Sequence, residues 1–178
     1  MKNNVFLKLI RDVLKTGFAE QGIVDIRVMQ NFQVNKTATP EEPTIVIHRV
    51  GDRPVGWQSR KVSNDRLVVT EKQGWVTAFQ INALVPRKAP ELETIDDYSS
   101  DDLLRIARML LQGRRMLDAC KKAEFGILPA SALAPNWVQD EHDNWINEPS
   151  FNLEITSVQR IDWTVDRAYR GDVRIERV

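Results

Sequence analysis

The chain has 178 residues, 42% of them hydrophobic and 28% charged, the make-up of one soluble globular domain long enough to build a real core. Lys plus Arg and Asp plus Glu both number 25, so the formal net charge is zero, which argues against a general polyanion binder. Cys120 is the only cysteine, so an intrachain disulfide and a multi-cysteine metal site are both excluded.

At the N-terminus, Val5, Phe6, Leu9, Ile10, Val13 and Leu14 recur at three- and four-residue spacing, which predicts an amphipathic helix ended by Gly17 or Gly22. Lys8, Arg11 and Asp12 interrupt its apolar run, so it reads as neither a signal peptide nor a membrane span. Residues 23–34 are β-branched and extended in character, and the polar, proline-containing stretch 35–43 reads as a loop. TIVIHRV (44–50) predicts a strand that runs into Gly51, Pro54 and Gly56, residues that mark a bulge or bend. WQSRKV continues extended, Ser63-Asn64-Asp65 predicts a turn, and the return reads RLVVTEKQGWVTAFQINALVP. One long hairpin results, with Ile45, Val46 and Ile47 facing Phe79, Ile81 and Val85 at its base and Arg60, Lys61, Arg66, Glu71 and Lys72 at its outer end. Trp57 and Trp75 fall near each other on it, as a cross-strand pair or as interface anchors.

A linker over 86–98 precedes Ser99 and Asp102, which stand at capping-box spacing. The helix that follows is expected to run to about Ala123, burying Leu103, Ile106, Ala107, Leu110, Leu117 and Cys120, with close packing at Gly113. Residues 127–150 read as loop. FNLEITSVQRIDWTV (151–165) then alternates strictly: Phe151, Leu153 and Ile155, then Ser157 and Gln159, then Ile161, Trp163 and Val165. It is two to three times as long as the usual strand of roughly 5–6 residues. A bend or a change of burial is expected at Ser157–Gln159, with Ile161, Trp163 and Val165 either returning to the core or serving a neighbouring subunit. DVRIERV (172–178) offers a last strand.

Catalytic and metal signatures are sparse. Asp140, Glu141, His142 and Asp143 are consecutive, a poor geometry for one ion, and read as a surface loop. GDRPVG lacks the lysine and the helix of a phosphate loop. Cys120 lies on the apolar side of its helix and reads as a core thiol. No cofactor is implied. The stripe Arg105, Arg108, Arg115 and Lys122 reads either as a solvated helix face or as a surface turned toward nucleic acid or an acidic partner.

The order of these elements, carried by Trp75–Val85, the Asp101–Lys122 helix and Trp145–Val165, resembles the tail-terminator or neck-terminator (tail-completion) proteins of tailed bacteriophages. The resemblance implies a single domain over residues 1–178, of α+β class: a mixed, mainly antiparallel sheet with a long hairpin, flanked by an N-terminal helix and a longer central one. It implies a non-enzymatic virion protein of the neck or tail, assembled in the host cytoplasm. Such a protein forms a ring, typically hexameric, that ends tube polymerisation and joins the tail to the head connector. Its partners would be copies of itself, the tail tube protein and the head-tail connector protein, with genomic DNA in passing contact and no membrane. Under it, Trp57, Arg60, Lys61 and Trp163 become subunit-interface candidates, and Arg105, Arg108, Arg115 and Lys122 a face toward DNA or a partner. Two competing readings remain: a small nucleic-acid-binding module using the basic face of helix 101–123, and an enzyme whose site is assembled from scattered acids.

Overall fold

A computed structural model describes residues 4–30, 42–63, 68–86, 97–139 and 145–164. Arg66, most of the 86–98 linker, the acidic run 140–143, Val165 and the 172–178 strand lie outside these described residues.

The fold is α+β. Its sheet is built from β1 (Arg27–Gln30), β2 (Thr44–Ser63), β3 (Val68–Leu84), β4 (Gly126–Ile127) and β7 (Ser150–Thr164), in the order β1-β2-β3-β7-β4. β1 runs parallel to β2, and every other pairing is antiparallel. β5 (Trp137–Gln139) and β6 (Trp145–Asn147) form a separate small hairpin inside the stretch expected to be loop.

Three helices, α1 (Asn4–Glu20), α2 (Ser100–Gln112) and α3 (Arg114–Lys122), supply the rest of the core. Ile45 and Ile47 of β2, Phe79, Ile81 and Ala83 of β3, and Phe151, Leu153 and Ile155 of β7 share one sheet face and meet the helices there. Ile47, Ile81 and Phe151 stand in one row across three strands, and all are buried. Burying each such side chain stabilises the fold by roughly 1.5–3 kcal/mol. Phe6 of α1 meets Phe79 edge-on at 6.1 Å between ring centroids and tilts against Phe125 at 4.6 Å, tying α1 to the sheet and to the end of α3.

Of the two stops read for α1, Gly22 is the one used. Its φ is +80°, and Gly22 N and Ile23 N donate to the carbonyls of Ala19 and Phe18, the pattern of a Schellman ending. Gly17 instead lies inside the helix, where a Cβ would come within 2.5 Å of Leu110 Cδ2, so its lack of a side chain lets α2 pack close. Val5 points outward, and Leu7 and Phe18 complete the buried stripe.

The capping box at Ser99 and Asp102 forms as read. The single helix to Ala123 does not: Gly113 adopts φ −77°, ψ 167° and splits it into α2 and α3. The N-terminal helix is therefore the longest of the three, and the central one is not. The break changes the helical phase. Beyond it Met116 joins Cys120 in the core and Leu117 is turned outward, while on α2 Leu103 and Ala107 are buried as expected together with Leu104 and Leu111, and Ile106 and Leu110 are half-buried.

Candidate subunit interface

The three long strands outrun the helices. β1 ends opposite Ile47 and β4 ends opposite Thr156, while β2, β3 and β7 continue together to Ser63, Val68 and Thr164. The result is a three-stranded blade. On β7, Phe151, Leu153, Ile155 and Ser157 are buried, and every residue from Val158 to Thr164 is exposed. The change expected at Ser157–Gln159 is thus one of burial. The β3–β7 ladder itself runs without a register shift from Ser150 to Thr164.

Both sides of the blade are open. From His48 onward β2 has no strand beyond it among the described residues, and from Ser157 onward neither has β7. The helix-side face of the base continues out as the rows Pro54–Trp75–Ser157, Arg60–Glu71–Ile161 and Val62–Val69–Trp163. The reverse face carries Val55–Gly74–Val158, Ser59–Lys72–Arg160 and Lys61–Thr70–Asp162. Seven of the thirteen large hydrophobic side chains exposed among the described residues lie on these two edge strands: Val50, Val55, Trp57, Val62, Val158, Ile161 and Trp163. That concentration makes the blade, rather than the helices, the candidate partner surface.

Two irregularities shape β2, at Arg49/Gly51 and at Val55/Ser59. In the second, Gly56, Trp57 and Gln58 bulge out opposite Gln73 alone, with Gly56 at φ +70°. The Gln73 carboxamide donates to the carbonyls of Val55 at 3.1 Å and Gly56 at 3.4 Å, satisfying backbone that the ladder has released. Gly74 lets Val55 close in, since a Cβ there would stand 3.0 Å from its carbonyl oxygen. Trp57 is thereby thrown clear of the sheet at 97% exposure. It does not pair with Trp75, which faces Pro54 instead.

Glu71 organises the helix-side face of the blade. It accepts from Arg60 Nε at 2.9 Å and Nη2 at 2.5 Å, and from Gln58 Nε2 at 2.9 Å. The Arg60 hydrogen bonds hold its carboxyl below the ordinary value of 4.5, partial burial opposes them, and a contact with Trp163 adds to the lowering. Beside it a pocket of about 280 Å³ is lined by Pro54, Gln58, Trp75, Gln159 and Ile161 among others. Trp75 Nε1 is buried there without a hydrogen-bond partner. On the reverse face, Asp162 accepts from Thr70 at 2.6 Å and from Arg160 at 3.0 Å, which lowers its carboxyl from 3.8. Lys61, in the same row, has no ion-pair or hydrogen-bond partner among the described residues.

The four interface candidates therefore come together on the blade: Trp57, Arg60 and Lys61 on β2 and Trp163 on β7. Sequence reading missed Gln73, Glu71 as a hub, and the edge valines Val55, Val62 and Val158. The glutamine offered no local signal, because its role is set by a bulge on another strand.

Gly113 divides the basic helix residues between two helices, Arg105 and Arg108 on α2 and Arg115 and Lys122 on α3. Arg108 donates to the carbonyls of Ser131 at 2.9 Å and Ala130 at 3.2 Å, and Arg115 makes two bonds to Glu20 at 2.8 and 2.6 Å. Arg105 is exposed beside Asp102, whose carboxyl its charge helps to lower, and Lys122 is exposed at the end of α3. Cys120 is buried, and desolvation pushes its thiol up from 9.0. Among the described residues no three His, Cys, Asp or Glu side chains are placed to hold a metal ion.

A family model described as the E217 gateway protein gp29 matches residues 6–167. No curated protein matches. Among solved structures, the sheath/tube terminator of the extracellular contractile injection system PVC, in its extended state, is similar in fold, with a TM-score of 0.52 and 9% sequence identity. The likeness covers 96% of this chain and 63% of that one, so the chain spans less than two thirds of the terminator's length.

Proposed function

The chain belongs to the family of the E217 gateway protein gp29, and from that premise we propose that it is a structural virion protein that ends the phage tail. In this reading a single domain assembles with copies of itself into a ring, hexameric by the family resemblance, at the head-proximal end of the tail. The ring covers the last layer of tube subunits, stops polymerisation, and offers its other side to the head-tail connector. The work is geometric rather than catalytic. The fold likeness to a sheath/tube terminator supports it.

The observation that carries the proposal is the blade. A sheet that, among the described residues, extends far beyond its helices with two open edges and most of the exposed large hydrophobics supports reading the monomer as one unit of an assembly. The reading of the basic helix face as a nucleic-acid module draws less support, because Arg108 and Arg115 already bond within the chain. The decisive measurement is native mass of the purified chain, alone and with tail-tube subunits, joined to electron microscopy of tube ends. Rings at tube ends and tubes of finite length are expected. A chain that stays monomeric and ignores tube ends overturns the proposal.

A further inference from the structure

The two open edges of the blade differ, and the difference specifies how copies meet. β2 and β7 are both antiparallel to β3, so they run in the same direction on opposite sides of it. An edge on β2 and an edge on β7 can therefore join two copies in parallel, one copy's β2 against the next copy's β7. We infer that neighbouring copies pair blade to blade in this way, merging their blades into one continuous sheet. This rests on the ring reading given above and names the contact that would build the ring. A contact between two different edges is heterologous, so it repeats around an axis until it closes, whereas a contact between two like edges stops at a dimer.

Side-chain complementarity favours this contact. The rows Lys61–Thr70–Asp162, Val55–Gly74–Val158 and Val62–Val69–Trp163 cross the blade from β2 to β7. If the next copy extends each row without a shift, Lys61 meets the neighbour's Asp162, Val55 its Val158 and Val62 its Trp163. The cation without a partner among the described residues of its own chain meets an edge carboxylate, and exposed apolar side chains meet each other. The backbone groups of both edges gain partners that they lack among the described residues, as in strand addition. Trp57, held out on the β2 edge by the Gln73-pegged bulge, gains cover from the adjoining blade. Pairing β2 with β2 would instead bring together two edges that each carry Arg53, Arg60 and Lys61 and would offer Lys61 no edge carboxylate of the kind Asp162 supplies on β7.

Cysteine cross-linking tests the geometry, and buried Cys120 stays out of the reaction. Ser59→Cys is combined in one chain with Val158→Cys, Arg160→Cys or Asp162→Cys in turn, three positions on one face that sample neighbouring registers. Under oxidation at least one double variant should give a ladder of covalent oligomers beyond the dimer, while each single variant stays monomeric on a denaturing gel. Covalent dimers from Ser59→Cys alone would show a β2–β2 contact and overturn the inference. Rings in native mass spectra with no β2–β7 cross-link in any register would overturn it and leave the ring reading standing. Absence of any oligomer would remove both.

A charge exchange supplies a second, independent reading. Lys61→Glu and Asp162→Lys should each weaken assembly about fivefold or more, and the double exchange should recover most of the loss. Failure of the double exchange to improve on either single one overturns the Lys61–Asp162 register.

Discussion

β3 and β7 each pass through two different environments, and comparing them separates what holds the fold from what the fold is for. At the base, Phe79, Ile81, Phe151 and Leu153 are sealed by the helices to 1% exposure or less. In the blade, the same strands in the same unbroken ladder leave Ile161 at 49% and Trp163 at 54% exposed. Backbone pairing is equally regular in both. The core therefore does not set the length of these strands. Folding requires the base, and the outer half adds a solvent-facing sheet whose apolar side chains stabilise nothing within one copy to the extent that their size allows.

The sharpest break of this comparison would be a core truncation and a blade truncation that cost the same. Phe151→Ala should destabilise the monomer by about 3–5 kcal/mol in denaturant unfolding, through lost burial and the cavity left behind. Trp57→Ala, at a side chain with almost full exposure, should change monomer stability by no more than about 0.5 kcal/mol while assembly is lost. Equal losses for the two would end the distinction between base and blade.

Gly17→Ala comes next. The new methyl would run into Leu110 across the α1–α2 contact, and a cost of about 1–3 kcal/mol is expected with assembly intact once the protein is folded. Ser99→Ala removes the capping hydroxyl of α2 and should cost about 1 kcal/mol, read as a lower melting temperature.

The smallest effect is one of pH, and it too divides base from blade. Desolvation lowers His48 from its ordinary 6.5 in the base, and Arg60 lowers Glu71 from 4.5 in the blade. Both folded values lie below the unfolded ones, so the unfolded chain takes up protons first. The associated stability is complete above the ordinary value of each group and is lost as pH falls through the folded value. Melting temperatures should accordingly decline in two stages, below about 6.5 and then below about 4.5. His48→Gln should flatten only the first stage. Glu71→Gln should reduce the second, to which Glu20 and Asp102 also contribute, their carboxyls being lowered by Arg115 and Ser99.

The sequence was most legible where local rules act alone. The α1 stripe, the Ser99 cap, the buried start of β7 and the change of burial after Ser157 all follow from periodicity or capping chemistry. The long hairpin was legible in outline, but not in register. The one-residue surplus at Arg49/Gly51 swaps which residues of β2 face the helices: Ile45 and Ile47 before it, Pro54, Arg60 and Val62 after it. A reading that carries one alternation through the whole strand therefore places Trp57 on the same face as Trp75, whereas the bulges set Pro54 opposite Trp75 and leave Trp57 out of the ladder. Gly113 misled for a related reason. Its helix penalty of about 1 kcal/mol is small enough for packing to decide either way. Here the second segment turned, exposing Leu117 and burying Met116. The blade as a candidate interface was legible only from what surrounded it, namely strand length without core to match.

The bulge at Gly56–Gln58 bears on how such proteins diverge. It adds two residues to β2, a surplus that leaves the alternation of the outer strand in phase with its partner. Insertions or deletions there in pairs preserve parity, and a single-residue change would invert every side chain from Ser59 to Ser63. Natural variation in the reach of this arm should therefore accumulate in even steps, a pattern that lineages can keep while their cores stay the same.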